Sequence, residues 1–380
     1  MVTAAPEGLG PVRGPDTALP GSQHVAPLFF GLIALVALIA VAVTAVRWRR
    51  RLRKGVVARP VGLIVSGVIA AISLALLGVA LPPKFFVPEF PALPRLFPEQ
   101  AFFYRPITDL PVAAASDRWI ASQRGASLSP AFSGEVVMGS VNGVPFNPVD
   151  ASTERHQINF TQFPATSPRE PVPIADPAYI ETMPAYTYDQ HYVGIDVAAG
   201  QMWELIAVRK WWSRWEADAG ALWDLDSLDF AKGSTIASGM PLFPMVITYE
   251  EVAAGAVRHA ALLGGPVSRS FDPIWPARST DGQVAAPDAL PQGGWLRLRA
   301  DVDLSRLGPQ ARVIARGRQQ YGMVMSDTGP IWGVRGTPDG RWDNDDLRTL
   351  RGLTANDFEV VDASGIAVAA GSMEARPPAG

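Results

Sequence analysis

Apolar residues are concentrated in two stretches near the N-terminus, 28–46 and 61–81, and neither stretch contains a charged side chain. A helix rises about 1.5 Å per residue, so either stretch is long enough to cross the roughly 30 Å hydrocarbon core of a bilayer. The pattern predicts two transmembrane helices. They form a membrane anchor over 28–81 that follows an N-terminal tail over 1–27, and the bilayer is the partner of both segments.

The loop between these stretches, 47–60, holds seven basic side chains in fourteen residues. Short loops rich in Lys and Arg stay on the cytoplasmic side of a membrane. The loop therefore predicts a protein of the cytoplasmic (inner) membrane, with everything after residue 81 on the extracytoplasmic, periplasmic side.

The segment 82–106 combines seven prolines with large aromatic residues. Its proline content rules out a continuous helix and favours extended backbone. Seven exposed aromatic rings would form a large apolar patch, so we expect most of them to be covered. The sequence predicts an extended strap that docks on another membrane-protein subunit through Phe85, Phe86, Phe90, Phe97, Phe102 and Phe103.

Short alternating stretches separated by Gly, Pro, Asn and Asp dominate the chain from residue 107 onwards. In "WLRLRADVDL" apolar residues alternate with polar ones, as on a half-buried strand. "HYVGIDVAAGQMWELIAV" predicts two strands, and "EVVMGSVNGVPF" predicts a hairpin that turns at Asn142-Gly143. "PQARVIARGRQQYG" and "DNDDLRTLRG" predict short helices, the second capped by Asp343.

Strands dominate and no βαβ repeat is visible, so the predicted fold class is mainly β. Two N-terminal transmembrane helices precede an extracytoplasmic β-sandwich, jelly-roll-like, with a few short helices. The sandwich covers 107–371, and 372–380 is a loose tail.

The stretch from about 172 to 362 resembles a family of uncharacterised secreted or envelope bacterial proteins. The phrases that carry the resemblance include "VGIDVAAGQMWEL", "GMPLFPMVITYEEVAAGAVRHAAL", "PQARVIARGRQQYGMVMSDTG" and "RWDNDDLRTL". Family members often carry cysteine where Gln201 or Met202 stands in this chain. The resemblance implies a β-rich extracytoplasmic fold and no particular activity.

Charge and cysteine content exclude several classes of function. After residue 81 the chain carries 25 basic and 34 acidic side chains, which argues against a nucleic-acid partner, whose phosphates need a basic face. The chain has no cysteine, so disulfides, thiolate metal sites and iron–sulfur clusters are excluded. No histidine pair has metal-ligand spacing and no phosphate-binding loop is visible, so we expect no metal and no cofactor.

The best catalytic candidate is "WDLDSLDF", with Asp224, Asp226 and Asp229. Some retaining glycosidases place acidic residues at alternate positions of a strand, where paired carboxylates act as nucleophile and acid. Aspartates that cap turns explain this stretch more simply, so we expect none of the three to be catalytic.

The stretch "RKWWSRW" offers Trp211, Trp212 and Trp215 as aromatics for a ligand or an interface. Tryptophan rings stack on sugars and anchor interfaces with another protein or with lipid headgroups, but they also fill cores. All three roles stay open at this point.

The preferred hypothesis is a membrane-anchored extracytoplasmic binding or scaffold protein, an accessory subunit of a larger, energy-transducing membrane complex. It works by protein–protein interaction and not as an enzyme. The alternative is a cell-envelope protein that binds or cleaves glycans.

Overall fold

The computed structural model describes residues 87–137, 140–181 and 189–378, together with Val46. Short strands outnumber helices throughout this part of the chain. The strands are β1 Ser129–Ala131, β2 Val136–Val137, β3 Ser140–Val141, β4 Asn147–Pro148, β5 Arg155–His156, β6 Ile158–Phe160, β7 Val172–Pro173, β8 Tyr192–Asp196, β9 Gln201–Ile206, β10 Arg209–Trp211, β11 Arg214–Ala217, β12 Ala219–Asp224, β13 Ala261–Gly265, β14 Trp295–Leu298, β15 Met323–Thr328, β16 Gly333–Arg335 and β17 Phe358–Val361. The helices are α1 Ser116–Ser122, α2 Tyr249–Ala253, α3 Pro309–Gln320 and α4 Asn344–Arg348, with 3₁₀ turns at Phe102–Tyr104, Phe243–Met245, Thr349–Gly352 and Ala355–Asp357.

The largest sheet has six strands in the order β1-β16-β13-β15-β14-β17. It is mixed: β1 runs parallel to β16 and β13 parallel to β15, while the other neighbours are antiparallel. Helix α3 covers one face of this sheet, where its Ala311, Ile314 and Ala315 share a core with Leu263 and Met325.

A second sheet, β12-β9-β8-β4, packs against the other face of the large sheet. The core between them contains Val193 and Met202 from the second sheet and Leu262 and Val324 from the first. The remaining face of the second sheet packs on the three-stranded sheet β10-β11-β6. The fold is therefore layered: helices, large sheet, second sheet and small sheet.

Several local predictions are confirmed because their signals lie within a few residues. Helix α3 begins at Pro309, and α4 is capped by Asp343, whose carboxylate accepts hydrogen bonds from the amides of Asp345 and Asp346. The two strands predicted in "HYVGIDVAAGQMWELIAV" are β8 and β9. The predicted hairpin also forms, but β2 and β3 pair before Asn142, so its turn was placed wrongly.

The mainly β character is confirmed, but the predicted fold class as a whole is wrong. A jelly-roll-like sandwich consists of antiparallel sheets, whereas four strand pairs here are parallel. The parallel partners are far apart in sequence, as Ser129 and Gly333 are, so no repeat reveals them.

The predicted transmembrane helices receive no support. Across the described residues the structure contains no helix with the length and apolar character needed to cross a membrane. The segments 28–46 and 61–81 lie outside these residues, apart from Val46.

The prediction that the proline–aromatic strap docks on another subunit is wrong for the phenylalanines that the structure describes, because they are buried. Phe90, Phe97, Phe102 and Phe103 are buried in this chain's own core, between the large and the second sheet. Their rings contact other aromatic rings of the same chain, which leaves them no surface for another subunit. Phe85 and Phe86 lie outside the described residues.

The predicted C-terminal tail also joins this core. Met373 and Ala375 are buried in it, and the Met373 carbonyl accepts a hydrogen bond of 2.8 Å from the Phe102 amide.

Candidate functional site

A cleft of about 1320 Å³ opens between the large sheet and the second sheet. The large sheet contributes residues from the carboxyl ends of the parallel strands β13 and β15 and from the neighbouring strand β16. Ligands of sheets with parallel strands commonly bind at the carboxyl ends of those strands. The residues that line the cleft include Phe163, Glu181, Asp189, Thr235, Asp281, Asp327, Ile331 and Arg335.

A β-bulge positions Asp327 at this cleft. Leu263 of β13 pairs with Met325 of β15, but the next residue, Gly264, pairs with Asp327, so Ser326 is an extra residue in β15. The Ser326 hydroxyl donates to the Leu263 carbonyl at 3.1 Å and holds the bulge in place. Bulges redirect side chains next to functional sites. Gly264, which pairs with Asp327, has no side chain, and a Cβ atom there would approach only the Ile331 carbonyl oxygen, at 3.9 Å.

The Asp327 carboxyl is half-buried and makes neither a hydrogen bond nor an ion pair with any described residue. Burial raises its pKa, and the negative charges of Asp281 and Asp189 raise it further, to about 7. The positive charges of Arg335 and His191 oppose this shift but do not cancel it. Asp327 can therefore donate or accept a proton near neutral pH.

Asp281 reaches the same part of the cleft from the loop after β13. Its Oδ1 atom accepts hydrogen bonds from the Thr328 amide at 3.2 Å and the Thr328 hydroxyl at 2.7 Å, and from the Gln292 side-chain amide. These donors fix the orientation of the Asp281 side chain. A fixed carboxylate thus lies near a carboxyl group that has no partner.

A buried ion-pair network forms one wall of the cleft. His191 Nδ1 makes a short hydrogen bond to Glu181, and Nε2 lies 3.1 Å from the Thr235 carbonyl oxygen. The Thr235 carbonyl has no proton to donate, and Glu181 is a carboxylate because it is also paired with Arg335. Both ring nitrogens therefore carry a proton, and His191 is an imidazolium. Arg335 donates to Glu181 at 3.3 Å and to Asp189 at 3.0 Å, which closes the network.

The pKa values agree with this assignment. Burial alone would lower the pKa of His191, but the charge and hydrogen bond of Glu181 outweigh it and raise the pKa to about 9. Burial alone would raise the pKa of Glu181, but His191 and Arg335 lower it below its usual range.

Glu181, Asp189 and His191 also lie close enough together to ligate a metal ion. Their donor atoms, however, already serve the network. A metal ion would have to displace Arg335 and remove a proton from the His191 imidazolium. The arrangement fits an ion-paired cluster better than a metal centre.

The loop before the Phe243–Met245 turn borders the cleft and is tied to a buried carboxylate. Glu204 of β9 accepts hydrogen bonds from the Trp223 indole at 2.9 Å, the Thr235 hydroxyl at 3.3 Å and the amides of Leu242 and Phe243. Burial raises its pKa, and these hydrogen bonds oppose the rise. Thr235 therefore links Glu204 to His191 through hydrogen bonds of its hydroxyl and its carbonyl.

The carboxylates considered for catalysis lie elsewhere. Strand β12 ends at Asp224, so Asp226 and Asp229 are not on the strand that a glycosidase-type arrangement would require. All three are exposed, and the Asp224 side chain accepts the Asp226 amide at 3.0 Å as a turn cap. The alternating-strand interpretation of this stretch is wrong.

The three tryptophans singled out in the sequence divide into two groups. Trp215 is buried between the second and the small sheet, whereas Trp211 and Trp212 are exposed at the tip of the β10–β11 hairpin. A ligand or interface role for the exposed pair stays a prediction.

Sequence reasoning missed the carboxylates and Arg335 in the cleft. No pattern in the sequence connects His191 to Glu181 or Arg335. Asp327 had the clearest signal, since it follows the apolar stretch "GMVMS", and a carboxylate at the end of a buried strand lies where ligands bind.

Comparison with known proteins adds no relative: no family model, no curated protein and no solved structure matches the chain. The resemblance noted in the sequence stays a prediction.

Proposed function

We propose that the protein binds a carbohydrate in the cleft between the large and the second sheet. The observation that carries this proposal is the half-buried Asp327 carboxyl, which faces the cleft without a hydrogen-bond partner among the described residues. Polar groups in such positions are usually hydrogen-bonded, so a ligand that supplies the missing bond would gain affinity there.

The lining suits a sugar because it offers both kinds of contact that a sugar makes. Phe163 and Ile331 line the cleft and are 62% and 48% exposed, so they provide apolar surface for the C–H faces of a ring. Asp281 and Asp327 can accept hydrogen bonds from hydroxyl groups. The volume exceeds the usual upper limit of roughly 1,000 Å³ for small-molecule sites, which favours an oligosaccharide.

Glycan cleavage is a second candidate, favoured by the two carboxyl groups. Glycosidases pair a carboxylic acid of raised pKa with an ionised carboxylate. Asp327, with its pKa near 7, suits the first role, and the hydrogen-bonded Asp281 suits the second.

The accessory-subunit hypothesis and the extracytoplasmic location stay predictions. The hypothesis loses its main argument, because four of the six phenylalanines assigned to a partner lie in the chain's own core.

Calorimetric titration with cello-, chito- and galacturonan oligosaccharides tests the proposal. We expect one of these series to bind, and Phe163→Ala to weaken binding roughly tenfold, or about 1.4 kcal/mol, through loss of stacking. Phe271→Ala is the matched control, because Phe271 is exposed but lies outside the cleft lining.

The proposal is wrong if no series binds the wild type, or if Phe163→Ala and Phe271→Ala bind alike. New reducing ends, formed by the wild type and not by Asp327→Asn, would extend binding to cleavage.

A further inference from the structure

The β10–β11 hairpin presents two large apolar side chains to solvent. Trp212 is 92% exposed and Trp211 is 43% exposed. Trp212 has a φ of 52°, a left-handed conformation that large side chains rarely adopt. The backbone therefore turns sharply at the tip, and neither indole is part of the core.

Packing and charged contacts hold the base of the hairpin on the small sheet, and the tip projects from this base. Trp215 is 4% exposed and pairs across the β11–β6 ladder with Ile158. The Lys210 ammonium lies 4.9 Å from the centre of the Trp215 ring, and Arg209 forms an ion pair of 2.6 Å with Asp218.

The charge around the tip is positive. Between residues 209 and 215 the chain contains three basic residues and no acidic residue. Arg209 is paired with Asp218, so Lys210 and Arg214 carry the unpaired positive charge. Arg214 is exposed and forms no ion pair with any described residue. The nearest acidic group along β11, Glu216, is hydrogen-bonded to Asn159.

We propose that the tip of the β10–β11 hairpin binds the surface of an anionic lipid bilayer, with Trp211 and Trp212 in the headgroup region. Indole rings favour this region because they have an apolar body and a polar N–H group. Neighbouring Lys and Arg side chains are attracted to anionic lipids at the same depth. The proposal does not depend on the carbohydrate cleft.

Exposed tryptophans can bind several kinds of partner, and the neighbouring positive charge favours an anionic bilayer among them. A neutral glycan would use the rings and gain nothing from Arg214. An anionic bilayer uses both, and a two-residue tip can enter it without a complementary groove.

A dye at the tip tests the proposal in the full chain. The natural chain has no cysteine, so Ser213→Cys gives one labelling site between the tryptophans and Arg214. We expect the emission of an environment-sensitive dye at this position to move to shorter wavelength with vesicles of equal parts phosphatidylcholine and phosphatidylglycerol. The shift should shrink with phosphatidylcholine alone and with added salt.

Two controls separate the hairpin from any other attachment of the chain. A dye at Ser364→Cys, an exposed position far along the chain, should not respond. Adding Trp211→Ala and Trp212→Ala to Ser213→Cys should abolish the shift. No shift with the anionic vesicles, or an equal shift without the tryptophans, overturns the proposal. An equal shift with phosphatidylcholine alone overturns the role of charge and with it the choice of partner.

Discussion

Asp327 shows how one side chain depends on charges brought from distant parts of the chain. Its pKa reflects burial first, then repulsion by Asp281 and Asp189. An ordinary aspartate has a pKa of 3.8, so the folded state binds a proton more tightly than the unfolded state does. Below about pH 4 Asp327 is protonated in both states and does not change the free energy of unfolding. This free energy falls as the pH rises from about 4 to about 7, and the loss is complete above pH 7.

Asp327→Asn should remove this penalty, because asparagine resembles the protonated carboxyl. We expect the variant to be more stable than the wild type at pH 8 by on the order of 2 kcal/mol, a value discounted for solvent screening. At pH 4 the two should agree. Urea unfolding at both pH values measures the difference.

Asp301→Asn is the control, because Asp301 is exposed and should change the free energy of unfolding by no more than about 0.5 kcal/mol at either pH. Equal stability of Asp327→Asn and the wild type at pH 8 would mean that the carboxyl is not buried as described.

Among the elements, α3 illustrates how a helix end is completed by a side chain. Arg318 lies in its last turn and is fully buried. Its guanidinium donates to the carbonyls of Gly322 at 2.8 Å and His259 at 2.9 Å. Burial lowers the pKa of Arg318 to about 9, with the charge of Glu251 opposing the shift. The side chain thereby connects α3 to the residues that lead into β13 and β15.

Arg318→Met should keep the apolar contacts and remove these donors. The Gly322 carbonyl keeps the Ala261 amide as a donor at 3.1 Å, whereas the His259 carbonyl loses its one donor among the described residues. A buried carbonyl without a donor costs roughly 1–3 kcal/mol, so we expect a loss of about 2 kcal/mol in the free energy of unfolding. Arg316→Met, at an exposed position of the same helix, should have little effect. Thermal and urea unfolding of the two variants would show the contrast, and similar losses in both would refute it.

At the scale of the whole molecule, the proline–aromatic segment connects the layers. Phe102 lies within 6 Å, ring centre to ring centre, of Phe103, Trp275 and Trp295. The Phe102 backbone amide donates a hydrogen bond to the carbonyl of Met373, which lies near the other end of the described chain. Residues from both ends of the described chain therefore meet in one core.

Phe102→Ala should destabilise the whole protein by about 3–5 kcal/mol, since it leaves a cavity in this core. Fluorescence and circular dichroism should report one common transition, shifted to lower urea concentration. Phe271→Ala should leave the transition in place, because Phe271 lies on the surface. Unchanged stability of Phe102→Ala would restore the idea that the segment serves a partner.

The sequence by itself determined the features whose causes are local. Proline at the start of α3, the Asp343 cap of α4 and the short connection between β8 and β9 each act within a few residues, so their patterns predicted the right elements. The aromatic character of 87–106 also showed that its rings need cover, because apolar surface is costly in water.

Only the tertiary structure decided what covers those rings and which polar groups meet in the cleft. Burial is non-directional: it requires an apolar neighbour but does not specify one, so Phe102 could have packed on a partner or on Trp295. Glu181, Asp281, Asp327 and Arg335 come from separate loops and strands. Their charges interact only because parallel pairing, which leaves no local pattern in the sequence, brings distant strands to one edge of the large sheet.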